Sequence, residues 1–127
     1  MLFRSRLDTE LDPEDPVGNI DANQIRQCLI NLVRNAADAV SSNGGGRVVV
    51  RTRGARGRVE VAVADDGVGI AHEQLPRLFE PFFSTKKGGT GLGLALTQQI
   101  LQDHGGEIHV ASRVGRGTTF TLSVPAG

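Results

Sequence analysis

Tryptophan and tyrosine are absent from this chain, and five phenylalanines are its whole complement of large aromatic rings. A single-stranded nucleic-acid binder that stacks successive bases on such rings is therefore not expected. Only one cysteine occurs, Cys28, so no internal disulfide forms, a usage that fits a reducing compartment. Cys28 stands beside Leu29 and Ile30 in a helical pattern and reads as small core filler, not as a nucleophile. An excess of one charge is missing too. Fourteen basic and 14 acidic residues cancel, which removes any bulk-charge argument for nucleic acid or an anionic membrane. Any anion site has to be local. No apolar run approaches the ~20 residues of a membrane span, and the opening Met1-Leu2-Phe3-Arg4 has no signal-peptide character.

What is present suits one soluble globular domain over residues 1–127. The chain is 39% hydrophobic and 22% charged, long enough for one core and too short for two. Residues 2–11 alternate weakly and are expected as an edge strand. Val17–Ile20 is a short strand candidate. Asp21 reads as a helix N-cap with Gln24 as its capping-box partner. A helix is predicted from about Ala22 to Ser42, stopped by Asn43-Gly44-Gly45-Gly46. Arg47–Arg53 and Arg58–Asp65 read as a hairpin. A short helix near Ala71–Leu78 and a longer one over Leu92–His104 follow. Glu107–Ser112 and Thr118–Val124 form a last strand pair. Tight links between strands favour antiparallel pairing, so the expected fold is an α/β two-layer sandwich with helices on one sheet face.

Three local patterns carry chemistry. In Lys86-Lys87-Gly88-Gly89-Thr90-Gly91-Leu92-Gly93-Leu94, two cations and four glycines run into a helical pattern. Glycine lets backbone N–H groups approach an anion, and a helix N-terminus presents unpaired donors and partial positive charge. On the first helix, Ile25, Leu29, Leu32, Val33, Ala36 and Val40 share an apolar side. Asn31, Asn35 and Asp38 cluster on another, at helical-neighbour spacings. An ordinary solvent face favours Lys, Glu or Arg, whereas an amide oxygen is a hard neutral ligand suited to Mg²⁺. Finally, Asp65-Asp66-Gly67-Val68-Gly69 ends an alternating strand, where an aspartate can accept a hydrogen bond from a ligand amine.

Taken in order, these pieces resemble a known family. Asn31-Leu32-Val33-Arg34-Asn35-Ala36 looks like the N box of the sensor histidine kinases. Asp65–Gly69 resembles their G1 box, Phe79-Glu80-Pro81-Phe82-Phe83 the F box, and Gly89–Leu94 the G2 box. Gly115-Arg116-Gly117-Thr118 is similar to their final glycine motif. The catalytic, ATP-binding domain of these kinases shares a superfamily with gyrase, Hsp90 and the MutL mismatch-repair proteins. The resemblance implies the Bergerat fold, a mixed, mostly antiparallel sheet of about five strands covered by three helices. It also implies ATP and Mg²⁺ as cofactors, Asn35 as the metal-coordinating side chain, and Asn31 on the phosphate side. Asp65 would accept the adenine amino group, with Gly67 and Gly69 admitting the base and Thr118 near it. Gly89, Thr90, Gly91, Leu92, Gly93 and Leu94 would cradle the phosphates, with Lys86 and Lys87 in a short lid like that of the nitrogen-regulatory class.

The implied activity is transfer of the γ-phosphoryl group of ATP to a histidine on a separate dimerisation domain, for relay to a response regulator. That histidine domain is expected to be absent here. His72-Glu73-Gln74-Leu75-Pro76 has its proline four residues after the histidine, where the family's acceptor box has it five after. A cytoplasmic location is implied, with the isolated domain monomeric and the full kinase homodimeric. No nucleic-acid or membrane contact by this domain is expected. Many members carry a lysine where Asp38 stands, so phosphate charge would rest on Mg²⁺, the helix start and the lid lysines, with modest affinity. Two other readings compete. Gyrase-like ATPases and related serine kinases resemble each other in a glutamate at the position of Asn31, and an amide cannot take a proton at neutral pH. A non-catalytic nucleotide-binding module is the other. A dinucleotide-binding fold is excluded by Leu94, which occupies its third glycine position.

Overall fold

In the computed structural model, residues 5–10, 22–83 and 92–125 are described. Five strands form one sheet: β1 (Ser5–Glu10), β2 (Gly46–Ala55), β3 (Arg58–Asp65), β4 (Glu107–Arg113) and β5 (Gly117–Pro125). Their spatial order is β1-β2-β3-β5-β4. β1 runs parallel to β2 and the other three pairings are antiparallel, the mixed arrangement expected. The parallel pair is joined through α1 (Ala22–Ser42), because parallel neighbours need a crossover. α2 (Gly93–Asp103) lies beside α1 over the same sheet. The Val17–Ile20 strand candidate and the Asp21 cap fall outside the described residues.

Local chemistry sets the element ends. α1 stops where Gly44 and Gly45 take φ of +85° and +113°, and the Gly45 N–H closes on the Val40 carbonyl at 2.7 Å. α2 ends the same way: Gly105 has φ +72° and the Gly106 N–H reaches the Leu101 carbonyl at 2.7 Å. The β2–β3 hairpin turns on Arg56 and Gly57, both left-handed, as a two-residue turn matched to strand twist requires. The short helix expected near Ala71–Leu78 is present over His72–Arg77, in 3₁₀ form. Pro76 lies inside it and has no N–H to offer an α-helical bond.

The core lies between the helices and one sheet face. Ile25, Cys28, Leu32, Ala36 and Val40 recur along α1, and Ile100 and Leu101 come from α2. They meet Val59, Val61 and Val63 of β3 and Phe120, Leu122 and Val124 of β5. Cys28 is fully buried, as its neighbours in the sequence suggested. Burying a side chain such as Leu32, fully enclosed here, contributes about 1.5–3 kcal/mol. Among the described residues no helix is long and apolar enough to cross a membrane.

Candidate functional site

The helix-facing side of the sheet is organised in cross-strand rows. Val50, Val63, Phe120 and Val110 form one apolar row by register. The next row, towards the end of β3, is Val48, Asp65, Thr118 and Ser112. Three polar side chains thus continue an apolar face, on the side covered by the helices. The Asp65 carboxylate is half-buried and accepts the Gly67 N–H at 2.9 Å and the backbone N–H of Thr118. Burial pushes its pKa above the ordinary carboxylate value, the two N–H groups oppose this, and the neighbouring Asp66 adds to the rise. An ionised carboxylate offers about four acceptor sites, so the two backbone donors leave capacity for a ligand.

The glycines around Asp65 have packing reasons. A Cβ on Gly67 would sit 2.6 Å from the carbonyl carbon of Ala39 on α1. On Gly69, with φ +77°, it would strike the Arg113 carbonyl oxygen. Gly117, with φ +121°, passes directly against the Asp65 carbonyl oxygen. The Asp65–Gly69 turn is therefore clamped between α1 and the β4–β5 hairpin. The clamp is completed by the Gly115 N–H to the Val68 carbonyl at 2.9 Å and the Ile70 N–H to Ser112 Oγ at 2.8 Å. Asp66 ties the other flank, where its Oδ1 accepts the Arg47 N–H at 2.7 Å.

α1 joins this turn to the start of α2. Asn31, Asn35 and Ala39 follow one another at four-residue spacing, so they share one stripe. At one end, Asn31 Nδ2 donates to the Gly93 carbonyl and to Thr97 Oγ1, each at 3.4 Å. Thr97, fully buried, donates its own hydroxyl to the Gly93 carbonyl at 2.9 Å. At the other end, Ala39 meets Gly67. Asn35, partly buried, lies between them. The first turn of α2 contains no acidic residue, and Leu92 makes no side-chain cap, so nothing negative there opposes an approaching anion.

Asn31 is thus brought to Gly93 at the start of α2, Asn35 follows it one turn along α1, and Asp65, Gly67 and Thr118 gather around the adjoining turn. Gly69 faces the β4–β5 hairpin. Leu92 is exposed, whereas Leu94 packs against the core. Lys86, Lys87, Gly89, Thr90 and Gly91 lie outside the described residues. Asp38 is exposed at the rim of the asparagine stripe. Cys28 is buried with its thiol pKa raised by that burial, which suits filler and not a nucleophile. Ser112 and Gly117 complete this geometry: Gly117 belongs to the final glycine motif, whereas Ser112 stands outside every motif named above. Ser112 had a legible signal, since it continues the Ile108, Val110 row with a hydroxyl.

The donor set fits a nucleotide. Asp65 and Thr118 lie in the row beside an apolar row on the same sheet face, a pairing that suits a flat ring carrying an amine. No group of three or more His, Cys, Asp or Glu among the described residues is placed to hold a metal ion. A cation here would take an amide oxygen of α1 as a neutral ligand and draw the rest of its coordination from phosphate oxygens and water, both of which Mg²⁺ commonly retains.

Comparison with known proteins gives a consistent result. Residues 20–127 match the family described as histidine kinase-, DNA gyrase B-, and HSP90-like ATPase. The sensor histidine kinase ZraS of Klebsiella oxytoca is 48% identical over 105 residues, 83% of this chain and 22% of that protein. The signal transduction histidine-protein kinase AtoS of Escherichia coli is 41% identical over 124 residues, 97% of this chain and 19% of that one. The chain thus spans about a fifth of the length of these curated relatives. The nucleotide-free catalytic domain of the histidine kinase ThkA superposes with a TM-score of 0.85 at 36% identity, covering 98% of this chain and 80% of that one. Full-length ShkA in complex with AMPPNP gives 0.82 at 30% identity, over 97% of this chain and 26% of that one.

Proposed function

We propose, from the premise that the chain belongs to the histidine kinase-, DNA gyrase B- and HSP90-like ATPase family and is a histidine-kinase catalytic domain, that it binds Mg²⁺-ATP and delivers the γ-phosphoryl group to a histidine on a separate dimerisation domain. Relay to a response regulator follows, in a cytoplasmic setting. Residues 1–127 form the catalytic unit in this reading.

One observation carries it. Asn35 sits on α1 between Asn31, tied to the start of α2, and Ala39, in contact with the Asp65–Gly69 turn. A single helix stripe therefore joins the base end of the site to its phosphate end. Asp65 accepts the amine of the base, and Thr118 borders it. Asn35 would hold Mg²⁺ through its amide oxygen, and the ion would supply neutralisation of phosphate charge. Asn31 steadies the α2 start, where Gly93 and the preceding Gly89, Thr90 and Gly91 offer backbone donors, and Lys86 and Lys87 add charge. Catalysis is positioning and charge neutralisation. Asn31 cannot take a proton from water, and its amide already donates to Gly93 and Thr97, so hydrolysis by this chain alone is disfavoured.

Calorimetry with ATP, with and without Mg²⁺, tests binding, and phosphotransfer to a supplied histidine hairpin tests activity. Asn35→Ala is expected to abolish Mg²⁺-dependent transfer while leaving the fold intact. A wild-type transfer rate in that variant, or no binding by the wild-type chain at millimolar ATP, overturns the reading.

A further inference from the structure

Thr118 is only 5% exposed, and its hydroxyl lies 2.7 Å from Ser112 Oγ. Ser112 has three neighbours in hydrogen-bond range and one proton to give. It accepts the fixed Ile70 N–H at 2.8 Å, and the Gly117 carbonyl lies 3.1 Å away. Two proton arrangements are open. In the first, Ser112 donates to the Gly117 carbonyl and Thr118 donates to Ser112. Both protons are then used, and both lone pairs of Ser112 are filled. In the second, Ser112 donates to Thr118, the Gly117 carbonyl loses that bond, and the Thr118 proton has no partner among the described residues. The first arrangement makes one more hydrogen bond in a largely enclosed place, where an unmade bond is costly.

We infer that Ser112 is a positioning residue for base selection: it takes the hydroxyl proton of Thr118, so that Thr118 faces the ligand as an acceptor beside the Asp65 carboxylate. Two adjacent acceptors demand protons from the ligand edge, directly or through a water. An exocyclic amine supplies two, and a carbonyl at the same ring position supplies none. The row thus selects a 6-aminopurine over a 6-oxopurine, and Ser112, which need not touch the base, contributes to that choice. The inference rests on the reading of this row as the base end of a nucleotide site.

Calorimetric titration of the 127-residue chain with the Mg²⁺ complexes of ATP and inosine triphosphate separates the two levels. The wild-type chain is expected to prefer ATP. Ser112→Ala frees the Thr118 proton to turn towards a carbonyl, and the preference is expected to narrow about fivefold, the scale of one net hydrogen bond. Ser112→Thr, which keeps the hydroxyl, is expected to retain the preference. In a Thr118→Val background, Ser112→Ala is expected to leave the ratio unchanged. If Ser112→Ala fails to fold, Ser112→Cys replaces it, since a thiol is a poor acceptor for the Thr118 proton. Equal weakening of both nucleotides, or an unchanged or wider ratio, overturns the assignment of Ser112 alone. Failure of the wild-type chain to bind either nucleotide overturns the nucleotide reading and this inference with it.

Discussion

Gly67 lies against Ala39 so closely that a Cβ on the glycine would stand 2.6 Å from the Ala39 carbonyl carbon and 2.8 Å from its Cβ. The contact joins the Asp65–Gly69 turn to the helix carrying Asn31 and Asn35, so one backbone approach sets the spacing between the two ends of the site.

Gly67→Ala is therefore expected to destabilise the fold by about 1–3 kcal/mol, the usual range for overpacking, and to weaken ATP binding by displacing the turn from α1. Ala39→Gly should rescue little, because the nearest atom is backbone and a helical glycine costs ~1 kcal/mol of its own. Denaturant unfolding of the two single variants and the double measures this. Full rescue would place the clash at the Ala39 methyl alone.

Asp65 gives a pH prediction with a definite sign. Its folded pKa is raised, chiefly by burial. Between its ordinary and its raised value, the folded state holds a proton that the unfolded state has released. Stability from this residue therefore falls as pH rises through that window, and the cost is fully present above it. Asp65→Asn removes the ionisation. Its stability relative to wild type should rise across the same window, measured by urea unfolding from acid to neutral pH. Nucleotide affinity should move the other way, with the variant losing about 1.5–3 kcal/mol at neutral pH, the range for a hydrogen bond to a charged group. A stability difference flat in pH would mean that the two N–H groups fully offset the desolvation of the carboxylate.

Asn31 separates a steadying role from a metal-binding one. Asn31→Ala removes the donor shared by Gly93 and Thr97, at an expected cost of about 0.5–1.5 kcal/mol in stability. ATP should bind more weakly, with its dependence on Mg²⁺ concentration unchanged. Asn35→Ala should instead shift that dependence. Mg²⁺ titrations of ATP binding by the two variants distinguish them, and a shift in the Asn31 variant would make it a metal ligand as well.

Much of this was legible in the chain because it is written in short-range rules. Helix ends at Gly44–Gly45 and Gly105–Gly106, the hairpin at Arg56–Gly57 and the alternation of Val59, Val61 and Val63 each follow from local backbone or side-chain physics. The short helix near Ala71–Leu78 was legible as well, and its 3₁₀ form follows from Pro76, which has no N–H for an α-helical bond.

The phenylalanines show where legibility ends. Phe79 and Phe83 pack against the core, and Arg77 stacks on the Phe83 ring at 4.5 Å, whereas Phe82 is 76% exposed with φ +68°. Spacing alone could not apportion them, because the segment has no regular period to project onto a face.

By itself, then, the sequence determined the element types, the mixed α/β sandwich, the family motifs and the asparagine stripe, since periodicity, turn chemistry and motif order are properties of neighbours along the chain. Only the tertiary structure decided what each glycine is for. Gly67 accommodates α1, Gly69 the Arg113 carbonyl, and Gly117 the Asp65 backbone. It also decided that Asn31 spends its amide on α2 and that Ser112 stands behind Thr118. These are contacts between segments far apart in sequence, set by strand register and helix docking.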